Sequence, residues 1–239
     1  YAVVTNKRAN FVLVLDLRDD STDEFVDANV HGIEAAFRIP QRYGVVGTRD
    51  LAFSPDGQSL HVLLSPLVIY DSGEPELRTG TEALITLDWT QVTAQDSAQG
   101  RLLLDDTILS YVPLARGIEE DLGYRSEVSV GPSALSLSAD GTRAYVTNYN
   151  DNSMWIVALD AGARGAVIAR VEGLDEAPSE VVLSPDGRMA YVASYLGQSR
   201  NTVSHATITV VDIDEGSPRF GEVLTRLSNI SSRSDRGCP

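Results

Sequence analysis

Short apolar runs, broken at regular points by turn-forming residues, set the rhythm of this chain. The stretches Leu51-Ala52-Phe53, Ala134-Leu135-Ser136-Leu137 and Val181-Val182-Leu183 each end at nearly the same phrase. That phrase is Ser54-Pro55-Asp56-Gly57, then Ser138-Ala139-Asp140-Gly141, then Ser184-Pro185-Asp186-Gly187. A second apolar stretch follows each copy: Leu60 to Leu64, Ala144 to Thr147 and Ala190 to Ala193. Two such runs about an Asp-Gly turn predict a β-hairpin. The aspartate can bond backbone groups two residues on, and the glycine accepts a positive φ at no steric cost. Ala139 replaces proline in the second copy but leaves Asp140-Gly141 in place.

The hairpins belong to larger repeats. From Pro132 the pattern predicts strand A to Ser138, strand B over Thr142 to Asn148, strand C over Ser153 to Asp160 and strand D over Gly165 to Val171. The next copy repeats this over Glu180 to Leu183, Met189 to Ser194, Ala206 to Ile213 and Gly221 to Leu227. The turn phrase recurs 46 residues later, from Ser138 to Ser184. Four short strands at that period are the content of one β-propeller blade. The first copies are less regular. Leu51 to Phe53, Leu60 to Leu64 and Ala83 to Trp89 read as strands A, B and C, with Arg101 to Leu104 and Thr107 to Val112 competing for D. Before them, Ala2 to Asn6, Phe11 to Leu17 and Ile33 to Ile39 read as B, C and D of a blade without strand A. The expectation is an all-β propeller of four-stranded antiparallel blades, about four of them, over 1–45, 46–130, 131–176 and 177–227. Residues 228–239 then lead to a further blade of a larger, seven-bladed ring. The chain opens at Tyr1 within a strand pattern, which suggests a processed protein or a fragment.

Tyr145-Val146-Thr147-Asn148, with Asn152 and Ile156-Val157 behind it, resembles the YVTN repeat of bacterial and archaeal surface and secreted propellers. Tyr191-Val192-Ala193-Ser194 and Val3-Val4-Thr5-Asn6 are weaker copies. The Trp-Asp of WD-repeat propellers is replaced by Leu15-Asp16, Leu159-Asp160 and Ile213-Asp214. The resemblance implies an extracytoplasmic location: periplasm, cell surface or secreted. It implies no single function, because similar repeats serve lactonase-like hydrolases, haem-fused propellers and adhesion proteins.

Composition narrows the partners. The formal net charge of −15 repels phosphate, so nucleic acid is not expected, and neither is an anionic membrane surface. No run is long enough for a membrane-spanning helix. The single cysteine, Cys238, excludes an internal disulfide or a cysteine-rich metal centre. His31, His61 and His205 fall at unlike repeat positions, which argues against a shared zinc site. The acidic run Asp19 to Glu24 lacks the glycine and final glutamate of a calcium loop and reads as a solvated loop. No metal and no cofactor are expected.

Alternating strand direction puts the B–C and D–A loops on one face of the disk and the Asp-Gly turns on the other. The long segments Pro66 to Glu82, Asp105 to Val130 and Tyr195 to His205 fall on the first face, where scaffolds commonly carry binding sites. Candidate site residues there are Arg49, Asp50, Asn148, Tyr149, Glu180 and Tyr195, with Asn6, Arg8 and Asn150 nearby. Arg49 suits a bidentate clamp on carboxylate or phosphate, though an ion pair between blades is the plainer expectation. Asn148 suits bonding to loop backbone. Tyr149 and Tyr195 hold matching places after strand B and suit stacking on a ligand or packing between blades. The leading reading is a non-enzymatic scaffold for a protein or surface polymer. The alternatives are a lactonase-like hydrolase and a module fused to, or docking with, a haem or redox domain.

Overall fold

The computed structural model describes residues 2–5, 11–15, 33–40, 46–66, 68–71, 74–77, 81–94, 101–102, 107–114, 130–159, 165–196 and 206–227. They fall into two units, 1–128 and 129–239. The first holds β1 (Ala2–Thr5), β2 (Phe11–Leu15), β3 (Ile33–Arg38), β4 (Val46–Phe53), β5 (Ser59–Pro66), β6 (Val68–Asp71), β7 (Glu74–Leu77), β8 (Ala83–Asp88), helix α1 (Trp89–Ala94), β9 (Arg101–Leu102) and β10 (Ile108–Pro113). The second holds β11 (Pro132–Leu137), β12 (Arg143–Asn148), β13 (Ser153–Ala158), β14 (Val167–Val171), β15 (Glu176–Leu183), β16 (Met189–Leu196), β17 (Thr207–Asp212) and β18 (Val223–Leu227).

Four four-stranded sheets result, ordered β1-β2-β3-β9, β4-β5-β8-β10, β11-β12-β13-β14 and β15-β16-β17-β18. The last three are the expected A-B-C-D blades. The first departs from a purely antiparallel blade: Arg101-Leu102 pairs in parallel with Phe37-Arg38. The two competing segments are thus both used, Ile108–Pro113 as strand D of the second sheet and Arg101-Leu102 as an edge of the first. The long loop after β5 carries its own hairpin, β6 against β7.

The three Asp-Gly turns share one hydrogen-bond network. Gly57, Gly141 and Gly187 N–H groups donate to the Ser54, Ser138 and Ser184 carbonyls at 2.8–2.9 Å. Each serine hydroxyl donates to the turn aspartate at 2.5–2.6 Å and accepts from the backbone five residues on. These bonds, the serine's first, lower the aspartate pKa, to about 2 for Asp140. Pro55 and Pro185 are thus accessory; Ser, Asp and Gly carry the turn.

Each strand C–D pair also carries a register shift at one repeat position, leaving Glu34, Leu109, Ile168 and Leu224 as the extra residues. A second shift recurs in strand A, at Arg49, Ser133 and Ser179. Bulges increase right-handed twist, which radially packed sheets require.

Packing explains the nearly continuous apolar runs: inner strands such as β5, β8 and β13 are buried on both faces. In the first unit Val12, Val14 and Phe37 of the first sheet close on Leu60, Val62, Leu64, Ile85 and Leu87 of the second. Trp89 stands edge-on to Phe53 (5.2 Å) and Phe37 (6.4 Å). Strand C therefore stops at Asp88, and Trp89, expected in the strand, opens α1. Asp88 caps the helix by accepting from Thr90 and Gln91 N–H at 3.0 and 3.2 Å. In the second unit Tyr145, Met154, Ile156 and Val171 close on Val181, Ala190, Val192 and Val211.

Gly57 and Gly187 sit at φ +70°, and an added Cβ would meet nothing within 4 Å. The cost of Gly187→Ala is therefore conformational, about 1–2 kcal/mol. Urea unfolding should show the midpoint falling for Gly187→Ala and much less for Gly187→Asn, because asparagine tolerates this region; equal losses would remove backbone conformation as the reason for the glycine.

Candidate functional site

The loop-bearing end of each sheet is built from the start of strand A, the end of B and the start of C. In the second sheet these ends bring Arg49, Ser65 and Glu82 together. Arg49 is the bulged residue of β4, so it lies within strand A and not ahead of it. Its guanidinium donates to Ser65 Oγ at 3.4 Å. Burial pushes its pKa down, and the buried Glu82 carboxylate opposes that shift. Among the described residues Arg49 thus meets groups of its own sheet, where an ion pair between blades was the plainer expectation. Asp50 turns back on its own strand, its Oδ1 accepting from Leu51 N–H at 2.8 Å.

In the third sheet Asn148 is fully buried at the end of β12. Its Nδ2 donates to Ser153 Oγ at 3.1 Å, which donates to Asp151 at 2.6 Å. The amide thus bonds the Ser153 side chain, where loop backbone was the expected partner. Asn148 Oδ1 and, at the start of β17, Thr207 Oγ1 are buried acceptors with no hydrogen-bond partner among the described residues, so each is open to a water or a bound donor. Tyr149 follows in the turn, 45% exposed, its N–H donating to Gly131 O at 2.7 Å. Tyr195 occupies the matching place but within strand, because β16 runs on to Leu196; it is 64% exposed. Glu180 is exposed in mid-strand on β15, opposite Ala193, and belongs to a sheet face rather than to a loop. Asn6, Arg8, His31, His205, Cys238 and the Asp19–Glu24 run lie outside the described residues.

The structure adds residues that sequence reasoning missed. The bulged Ser133 donates to Pro178 O at 2.7 Å, joining the third sheet to the fourth, and also bonds Thr147 Oγ1 at 2.9 Å. Buried Asp175 pairs with Arg226 (Nε–Oδ1 3.3 Å), whose Nη2 donates to Gly173 O at 2.5 Å. Ala177 is held at φ +60° ahead of Pro178, its N–H donating to Asn152 Oδ1 at 3.0 Å. The signal for the bulges was available: in three copies the residue five before the turn serine is the extra one.

Elsewhere in the second sheet His61 is buried, its Nδ1 2.9 Å from Thr86 Oγ1. Burial lowers its pKa to about 4. Among the described residues no group of three or more His, Cys, Asp or Glu could hold a metal ion, and no helix is long and apolar enough to cross a membrane.

No family model and no curated protein matches the sequence. Solved structures do match. Hydrazine synthase from Kuenenia stuttgartiensis aligns over 95% of this chain and 45% of its own, at 16% identity and a TM-score of 0.53. Sqt1 from Chaetomium thermophilum aligns over 94% of this chain and 42% of its own, at 18% identity and a TM-score of 0.53. A second Sqt1 structure, bound to the N-terminus of the ribosomal protein L10, gives 17% identity, 94% and 44% coverage and the same score. The chain thus spans under half the length of these structures. All are propellers, and at such identities the likeness concerns fold alone.

Two outcomes follow. Ala177→Gly should leave stability unchanged or raise it, because relief of about 1–2 kcal/mol of left-handed strain offsets the entropy that glycine adds to the unfolded chain; a clear fall in the urea midpoint would refute it. For His61, the unfolded chain takes a proton near pH 6.5 and the folded chain near 4. The stabilisation from keeping His61 neutral is thus complete above about pH 6.5 and is lost as pH falls toward 4, by about 3 kcal/mol in full. Unfolding free energies between pH 7 and 4 should fall for the native chain and vary less for His61→Leu.

Proposed function

We propose that this chain is a protein-binding propeller module that grips a basic polypeptide segment with the loop-bearing end of its second unit. The observation that carries this is the pair Tyr149 and Tyr195, both well exposed at one repeat position of neighbouring sheets. A buried packing role does not account for that exposure. Exposed tyrosines supply rigid contact area with a polar tip. Among the described residues their surroundings are acidic: Glu172 and Glu176 are exposed, and the whole chain carries −15. Among the described residues two nearby cations are engaged, Arg226 by Asp175 and Arg170 over the Trp155 ring at 4.4 Å. Such a surface steers cationic segments toward itself and disfavours acidic ones. Sqt1, solved with a protein N-terminus bound, supports a peptide-binding use of this fold. The proposed setting is extracytoplasmic, on the likeness of Tyr145-Val146-Thr147-Asn148 to surface and secreted repeats.

The test is a binding screen of the whole chain against basic, neutral and acidic peptide libraries. Basic peptides should bind best, more weakly as salt rises. The Tyr149→Ala/Tyr195→Ala pair should weaken the best binder at least tenfold, about 1.4 kcal/mol. Equal binding of acidic peptides, or unchanged binding by the double variant, would sink the proposal.

A further inference from the structure

The third and fourth sheets are repeats of one another, so their corresponding faces can be compared residue by residue. The third sheet turns Tyr145, Met154, Ile156 and Val171 toward the fourth. Registers place Tyr191, Ile208, Val210 and Leu227 at the same positions of the fourth sheet. Tyr145 is 3% exposed but Tyr191 is 38%; Val171 is 1% exposed but Leu227 is 49%. Val182, opposite Tyr191, is 63% exposed, and Met189 lies on the same face. The reverse face of this sheet, with Val181, Ala190, Val192 and Val211, is buried against the third. One side of the fourth sheet therefore has the chemistry of a blade-to-blade contact without the neighbour.

We propose that this outer face, formed by Val182, Met189, Tyr191 and Leu227, is the docking surface for a further four-stranded blade of the same polypeptide, pinned by Ser179. Three observations choose this occupant. The face repeats the apolar positions of one that a blade already covers, Tyr191 for Tyr145, Ile208 for Met154, Val210 for Ile156 and Leu227 for Val171. The matched propellers are more than twice the length of this chain. The polar pin is repeated as well: bulged Ser133 donates across to Pro178 O of the following sheet, and Ser179, its counterpart, donates within its own sheet to Ala193 O at 3.4 Å. In the existing contact β15 lies over β11 and β12. The added blade accordingly lays its strand A over β15 and β16. The charge pair does not recur, since Arg143, which bridges to Glu215, is replaced by Met189, while Glu180 takes the place of Ala134; the new contact must therefore supply a donor or cation to Glu180.

The experiment compares residues 1–239 with the product of the whole open reading frame, using oxidative labelling of Met189 and Tyr191. Labelling of both should fall at least tenfold in the longer protein, at concentrations where both are monomers. Tyr191→Lys and Ser179→Ala should lower the unfolding midpoint of the longer protein and leave that of residues 1–239 nearly unchanged. Equal labelling in the two proteins, or a reading frame that closes at Pro239, overturns the proposal. So does protection within residues 1–239 alone that grows with concentration, which would assign the face to a second copy.

Discussion

A sheet that is apolar on both faces is unstable by itself, and that constraint organises this molecule. Its inner strands have no polar side to give to water, so each sheet needs neighbours. Tyr145, Met154 and Ile156 meet Val181, Val192 and Val211, while Ala144, Val146, Trp155 and Val157 are buried on the other side of the same sheet. At about 25 cal/mol per Å² of apolar surface removed from water, such contacts dominate the stabilisation. The other regularities serve them. The Ser-Asp-Gly turns hold strands A and B in register, and a register slip of one residue would exchange the two faces. The bulges supply twist, so that flat sheets do not have to splay in order to stack.

Much of this fold was legible because its signals are local. Asp56-Gly57, Asp140-Gly141 and Asp186-Gly187 mark their turns through chemistry that acts within five residues, and three sheets follow with the expected strand order. What escaped was non-local. Nothing within Arg101-Leu102 says that it pairs in parallel with Phe37-Arg38. Nothing in Ala83 to Trp89 alone says where the strand ends; that depends on Asp88 capping a helix and on two distant phenylalanines receiving Trp89.

The site was less legible than the fold, for a related reason. Strand-end polar residues take their partners from other strands of the sheet. Arg49 meets Ser65 and a buried Glu82, and Asn148 meets Ser153; neither pairing follows from spacing. Tyr149 and Tyr195 stood out because a repeat allows one position to be compared twice, and an aromatic residue at a loop end is conspicuous in both copies. Ser133 was invisible by contrast, since a serine in a strand looks ordinary until a bulge aims it at the next sheet.

The parallel edge strand β9 has an evolutionary consequence. Propellers are commonly pictured as tandem duplications, each copy a self-sufficient cassette. Here two residues from beyond the second hairpin stitch onto the edge of the preceding sheet, so the genetic cassette and the physical building block have different borders. A recombination event that respected the repeat written in the gene would cut this stitch and bare the edge of β3. Shuffling or circular permutation at that junction would therefore be filtered out, even though the sequence there invites it.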